Sequence, residues 1–336
     1  MKKTTMLTAA ALTAVFMTAC APLSKPKPTQ TPTAAPAERT EKPKQILEYR
    51  MDASKENPNG DNYPEAGEEF VQKVNQILSS FAHPQNDIFE NVLGLYQYVS
   101  QNITYKEGAS ADSAEAILSG TACAEGFARA YQYLLNQIGA DAFLVTANDE
   151  SRKWVMVAMP DGYYHFDAAE EAKQTAGQAL VYFAMNDEQR WDGGKYDGWY
   201  IGSEETGDKR NPPKNEKQTY TFLRDVRAGY GCDFESKCMY FADVSQDNEL
   251  VKYYYQTGLE ESMYGKRAGS MVYFRGTIYF SDLTQRNQLF SMNVLTGQTE
   301  LLDSVFVTRM VLKNGKLIYF DDVSSSEKGI QLVQET

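Results

Sequence analysis

Apolar residues recur every three to four positions through the first half of the chain and in short alternating runs through the second, so helices should give way to strands. Phe70, Val71, Val74, Ile77, Leu78 and Phe81 mark one helical face. Ile88, Phe89, Val92, Leu93, Tyr96 and Val99 mark a second, which Asp87 and Glu90 can cap at its start. Both stripes read as core. A short helix is expected from Ser113 to Leu118. The strongest runs from Ala124 to Ile138, with Phe127, Tyr131, Leu134, Leu135 and Ile138 on one face and Gly139 as its stop. Asp141 to Ala147, Trp154 to Met159 and Tyr163 to Asp167 then read as short strands, with a turn at Pro160-Asp161-Gly162. Leu180 to Met185 reads as one further strand, and Trp191 to Pro213 as a Gly- and charge-rich exit. Helices followed by antiparallel strands make the class α+β.

From about Thr219 a repeat emerges. Met239-Tyr240-Phe241-Ala242-Asp243, Ile278-Tyr279-Phe280-Ser281-Asp282 and Ile318-Tyr319-Phe320-Asp321-Asp322 recur, with spacings of 39 and 40 residues between Tyr240, Tyr279 and Tyr319. Turns at Arg275-Gly276 and Asn314-Gly315 precede the last two. Four short strands at this period is the arithmetic of a propeller blade. The units resemble the Tyr-Trp-Thr-Asp propeller repeats of lipoprotein receptors, with Phe in place of Trp. Two blades and a truncated third cannot close a ring, so a small, open all-β domain or an incomplete propeller is expected.

The N-terminus carries Lys2 and Lys3, an apolar run from Met6 to Met17, then Thr18-Ala19-Cys20. The run is shorter than the ~20 residues of a membrane span. It resembles a lipoprotein signal peptide over 1–19, cleaved before Cys20 and lipidated there, which implies an anchor on the extracytoplasmic face of a bacterial membrane. The Pro-, Thr- and Lys-rich stretch 20–44 lacks apolar periodicity and reads as a tether. Two folded domains are expected beyond it, 45–213 and 219–336. The net charge of −12 argues against nucleic acid and against anionic lipid head groups as partners.

Ser119 to Arg129 carries the candidate chemistry. Cys123 follows a turn glycine and sits at the start of a helix, where the macrodipole and unpaired N–H groups favour a thiolate. A small buried hydrophobe is the alternative reading. From Phe89 to Met185 the chain resembles the bacterial transglutaminase-like family, relatives of papain-type cysteine proteases. Gly120-Thr121-Ala122-Cys123 matches the glycine and small residue before the family's nucleophile, and Gly126-Phe127-Ala128 the Gly-aromatic-Ala after it. Trp154, the turn Asp161-Gly162 and Tyr163-Tyr164-His165-Phe166-Asp167 match its later motifs. The resemblance implies a cleft bordered by Gly120, Trp154 and Tyr164, with Asp167 as catalytic acid. Two residues before Trp154, where the family has its histidine, stands Arg152, and a guanidinium accepts no proton.

Only two histidines exist, His83 and His165. His83, before Pro84, is expected in an exposed loop. His165 shares a strand face with Asp167 by the period of two, so it could act as an improvised base or simply fill space beside the cleft.

Of four cysteines, Cys20 is assigned to lipid, and Cys232 with Cys238 could staple a hairpin as a disulfide, leaving Cys123 as the odd thiol. Asp243 to Glu249 alternates oxygen side chains but lacks the glycine of a calcium loop, and reads as a turn. No metal or cofactor is expected. Two functions follow: a surface-anchored lipoprotein binding a protein or peptide through a non-catalytic transglutaminase-like domain, or an active cysteine protease or transglutaminase using Cys123, His165 and Asp167.

Overall fold

The computed structural model describes residues 67–175, 178–191, 194–202, 207–313, 315–322 and 326–332. The expected signal peptide over 1–19, Cys20, the expected tether over 20–44 and Asn314 lie outside the described residues.

The helices form where the periodicity places them: α1 (Glu68–Phe81), α2 (Ile88–Asn102), α3 (Ser113–Ser119) and α4 (Ala124–Gln137). At α2 the capping box is reciprocal: Glu90 N donates to Asp87 Oδ1 and Asp87 N to Glu90 Oε2, both at 3.0 Å. Two short strands, β1 (Thr104–Tyr105) and β2 (Thr121–Ala122), pair in parallel beside α3. A sheet follows from β3 (Ala142–Ala147), β4 (Lys153–Met159) and β5 (Gly162–Phe166), then α5 (Ala168–Thr175), α6 (Asp187–Trp191) and β6 (Trp199–Ile201). Its order is β5-β4-β3-β6. One face, with Val155, Val157, Tyr164 and Phe166, packs in the same core as Phe127 and Tyr131 of α4. The other face holds Trp154 and Met156 in a separate cluster with Tyr196 and Ile201.

Two expectations fail in this region. Leu180 to Met185 is not a strand: Leu180 and Phe183, three apart and both fully buried, point the same way because Phe183 N turns back to Leu180 O at 3.3 Å. Only a single bridge, His165 to Met185, links the stretch to β5. The segment beginning at Trp191 is not merely an exit either, since β6 adds an edge strand to β3 and buries Ile201.

The repeats fold as a meander of β7 (Val226–Asp233), β8 (Cys238–Asp243), β9 (Glu249–Tyr254), β10 (Leu259–Phe274), β11 (Thr277–Asp282), β12 (Gln288–Asn293) and β13 (Thr299–Asp303), followed by β14 (Val307–Lys313), β15 (Lys316–Asp321) and β16 (Glu327–Gln331). The long β10 belongs to two units. Its first part pairs with β9 as far as Arg267 opposite Glu249, and its second part with β11 from Ala268 opposite Asp282, each ladder carrying one register shift. Among the described residues two four-stranded units and a three-stranded third result, and no sheet closes on itself.

Asp243, Asp282 and Asp321 occupy the same place, opposite Val226, Ala268 and Val307 on the strand before. Each aspartate is 39 residues from the last, so the third repeat is Leu317-Ile318-Tyr319-Phe320-Asp321 and not the run from Ile318 to Asp322. A one-residue shift in a strand exchanges its faces. With the corrected register, Met239 and Phe241 face the helices, Ile278 and Phe280 face the first unit, and Leu317 and Tyr319 face the second. Asp243 Oδ1 accepts from Ser245 N and Asp282 Oδ1 from Thr284 N, both at 2.8 Å, so the calcium-like stretch is a capped turn.

The disulfide does not form. Cys232 lies opposite Met239 and Cys238 opposite Asp233, so the two side chains leave the β7–β8 hairpin on opposite faces. Cys232 packs toward the helices and Cys238 into the layer between the first two units, and both are free thiols. Burial pushes both thiols up in pKa.

Glu90, fully buried, joins the helices to the repeats. Lys237 Nζ meets its two oxygens at 2.6 and 2.9 Å, and the Tyr255 hydroxyl donates to it as well. Replacing it by Gln keeps the cap and removes the charge. Because Lys237 is about a third exposed, Glu90→Gln should cost about 1–3 kcal/mol rather than the full cost of a broken buried pair. Urea denaturation measures this, and an unchanged midpoint would contradict it.

Candidate functional site

Cys123 is the N-cap of α4, half-buried, with extended backbone (φ −79, ψ 177). Its carbonyl accepts from Phe127 N at 3.1 Å, and its own N–H donates to Ser110 O at 3.3 Å. That second bond has a chemical consequence. An oxyanion hole built on the nucleophile's amide needs that N–H free, and here the protein itself uses it. Gly126 makes this approach possible, since a Cβ there would lie 2.6 Å from Ser110 O and 2.9 Å from the Ala122 Cβ. Gly120 closes α3 in the left-handed region at φ 66, and its carbonyl accepts from Thr104 N at 2.8 Å.

Arg152 stands immediately before β4, on the side of the strand that carries Trp154. Its Nε lies 2.6 Å from Asp167 Oδ2, its Nη2 2.7 Å from Oδ1, and its Nη1 2.9 Å from Glu170 Oε2. Asp167 is 1% exposed and Arg152 11%, so the two-pronged pair is almost dry. Asp167 Oδ1 also accepts from Glu170 N at 3.0 Å and so caps α5. Burial alone would push the Asp167 carboxyl up, but Arg152 and then Arg190 hold it below the usual range. Burial would likewise lower Arg152, and the charges of Asp167 and Glu170 outweigh it and push the guanidinium further up. A group so held moves no proton.

Arg190 completes the cluster. Its Nη2 lies 3.2 Å from Asp167 Oδ2, an ion-pair distance without hydrogen-bond geometry, while its guanidinium stacks 4.0 Å over Trp154 and 4.5 Å over Tyr196. Sequence reasoning missed it, along with Glu170 and Asp187. The only hint was the aromatic content of the 191–200 stretch, whose Tyr196 and Trp199 pack on Trp154.

His165 is fully buried and turned away from α4, packed edge-on against Trp199. Its Nδ1 accepts from Trp154 Nε1 at 2.9 Å, which places its proton on Nε2, 3.2 Å from Asp187 Oδ1. Both nitrogens are therefore engaged, and the arrangement of Cys123, His165 and Asp167 is not assembled: His165 serves Trp154 and Asp187, and Asp167 serves two arginines. Tyr164 lies on the opposite sheet face from Trp154, its hydroxyl donating to Asp161 Oδ2 at 3.0 Å and its ring edge-on to Tyr220, so it does not border a cleft with Trp154. His83 is exposed after α1, as its place before Pro84 suggested. What does cross from β4 to the start of α4 is Lys153, whose Nζ meets Glu125 Oε1 at 2.6 Å beside Arg129 at 2.8 Å.

The thiol thus caps α4, and Asp167 caps α5 with both of its oxygens bound by Arg152. No family model matches the chain, and no curated protein matches it. Among solved structures, 30% of the chain is similar to a protein described as a cysteine protease from Cytophaga hutchinsonii, at 15% identity, a TM-score of 0.26 and 37% of that chain. A transglutaminase is similar over 30% of this chain and 31% of its own, at 19% identity and a TM-score of 0.26. A chain from a nidogen/laminin complex is similar over 40% of this chain and 52% of its own, at 12% identity and a TM-score of 0.27. The chain spans about a third to a half of these proteins. The fold therefore rests on the chain's own element order: a cysteine capping a helix, then antiparallel strands ending on an acid.

Two buried groups near the cluster titrate with opposite sign. Burial lowers the His165 pKa, so the unfolded chain takes up a proton the folded one refuses, and stability falls as pH drops below about 6.5. Burial raises Glu171 from 4.5 to about 7 despite bonds from Tyr182 N, Thr175 and Tyr96, so its contribution falls as pH rises through that window. Relative to His165→Asn, the wild type should lose stability between pH 7.5 and 5.5; relative to Glu171→Gln it should gain. Urea midpoints at the two pH values check this, and differences that do not move with pH would contradict it.

Proposed function

We propose that this chain is a lipid-anchored protein on the extracytoplasmic face of a bacterial membrane, whose transglutaminase-like part holds a protein or peptide partner without turning it over. The observation that carries the reading is Arg152, in the general base's place and bound on both prongs to the acid. Acyl transfer or hydrolysis at a thiol needs a group that takes the thiol proton and returns one to the leaving amine. Neither arginine of the cluster can do so. His165, the remaining candidate, is bound to Trp154 and Asp187. The engaged amide of Cys123 weakens the case for a tetrahedral intermediate further.

The anchor rests on the sequence signal ending at Cys20 and on the tether behind it. No helix among the described residues is long and apolar enough to cross a membrane. The acidic chain favours a partner that is neither nucleic acid nor anionic lipid.

Wild-type and Cys123→Ala proteins should release no ammonia from glutamine donors and cleave no peptide above background. Turnover that disappears in Cys123→Ala would establish the cysteine-enzyme alternative. For the anchor, Cys20→Ala should move the protein from the membrane to the soluble fraction, and unchanged partitioning would count against lipidation.

A further inference from the structure

Among the side chains gathered on Trp154, His165 is the one whose ordinary titration falls between pH 5 and 8. Its ring is fully buried, and its two nitrogens have different tasks. An indole N–H only donates, so at 2.9 Å from Trp154 Nε1 the imidazole Nδ1 is the bare acceptor. Nε2 carries the proton and meets Asp187 Oδ1 at 3.2 Å. A neutral imidazole performs both tasks; an imidazolium performs one. Protonation puts a hydrogen on Nδ1, and two N–H donors then face each other with no acceptor between them. Turning the ring over gives no relief, because it takes Nε2 away from Asp187.

The surroundings decide when the proton arrives. Asp187 on α6 favours the imidazolium and Arg190 on the same helix opposes it. Among the described residues, the other neighbours are uncharged: Trp154 and Met156 on β4, Trp199 on β6, and Met185 across the bridge. Asp167, two residues along β5, is committed to Arg152 and Arg190. Burial is the largest influence and keeps the closed ring neutral.

The layer that covers His165 converges on Trp154. Arg190 of α6 lies 4.0 Å over the indole, and the rings of Tyr196 and Trp199 pack against it at 5.4 and 6.0 Å. β6 itself adds only three residue pairs to β3. Asp187 N also donates to Asn215 O at 2.9 Å, which gives the layer a fixed point at the start of α6. An indole that loses its acceptor therefore loosens every contact made on it.

We propose that His165 is an acid-sensitive latch: uptake of a proton breaks its bond to Trp154 and opens the layer of α6 and β6 on this sheet face, while the helices and repeats stay folded. The opened ring takes up a proton near its ordinary pKa of about 6.5 and the closed ring refuses it, so opening becomes easier as pH falls below that value and is disfavoured above it. The latch stands whether or not the cluster holds a partner.

The chain has three tryptophans, which makes the latch visible. In the full-length chain carrying nitrogen-15 tryptophan, each indole N–H gives one nuclear magnetic resonance signal. Trp191→Phe and Trp199→Phe assign two of them, and Trp154 follows by elimination. Between pH 7.5 and 5 the Trp154 signal should move reversibly along a single-proton curve with its midpoint below about 6.5, in a chain that remains folded. In His165→Asn, whose amide oxygen accepts from the indole but does not titrate, the signal should stay in place. In Asp187→Asn the midpoint should move to lower pH, because the imidazolium loses its carboxylate. Either variant suffices if the other unfolds. A constant Trp154 signal, a shift that persists in His165→Asn, an unmoved midpoint in Asp187→Asn, or unfolding of the whole chain over the same range would overturn the proposal.

Discussion

A nearly dry ion pair between Arg152 and Asp167 is the constraint around which the first half of this protein is arranged. Burying two charges is costly unless each finds a partner of good geometry and its remaining hydrogen-bonding capacity is met. Here those conditions are satisfied by neighbours: Asp167 accepts from Arg152 and Glu170 N and lies against Arg190, and Arg152 also reaches Glu170. The consequences spread outward. Arg190 is held over Trp154, Trp154 donates to His165, and His165 meets Asp187 on the same short helix that supplies Arg190. A catalytic triad would need its acid to orient an imidazole; this acid is spent on guanidinium groups.

The repeats extend the same molecule by a different principle. Each unit buries one face against the unit before it, and the helices cover the face that a preceding unit would cover on the first. One core therefore runs from Phe70 in α1 to Val251 in β9. Glu90 ties that junction electrostatically while Phe89 stacks with Tyr220 at 5.5 Å and tilts against Tyr255 at 5.0 Å. An open array of this kind remains stable because its first face is occupied by something other than a repeat.

Much of this was legible in the sequence. Four helices, three strands of the first sheet, the capping box at Asp87 and Glu90, and the three aromatic repeat strands follow from periodicity and turn chemistry, because those signals are local. What escaped depends on pairings far apart in the chain. The repeat anchored on Tyr319 slipped by one residue because tyrosine occurs on both faces of these strands, and only pairing with Val307 reveals that Asp321 is the aspartate to align. Cysteines six positions apart suggested a staple, but the hairpin register sends them to opposite faces. Arg152 was singled out only through the resemblance to transglutaminase-like sequences, whereas Arg190 lies in a five-residue polar helix with no periodic signature, so the cluster around it could not be read.

The account's central claim is that Arg152 is the structural partner of Asp167. A double-mutant cycle with Arg152→Met, Asp167→Asn and the combined variant, read by equilibrium denaturation at pH 7, measures that coupling directly. The claim requires a favourable interaction of about 2–3 kcal/mol, near the upper end for contacting residues. Single-variant losses that simply add would contradict it.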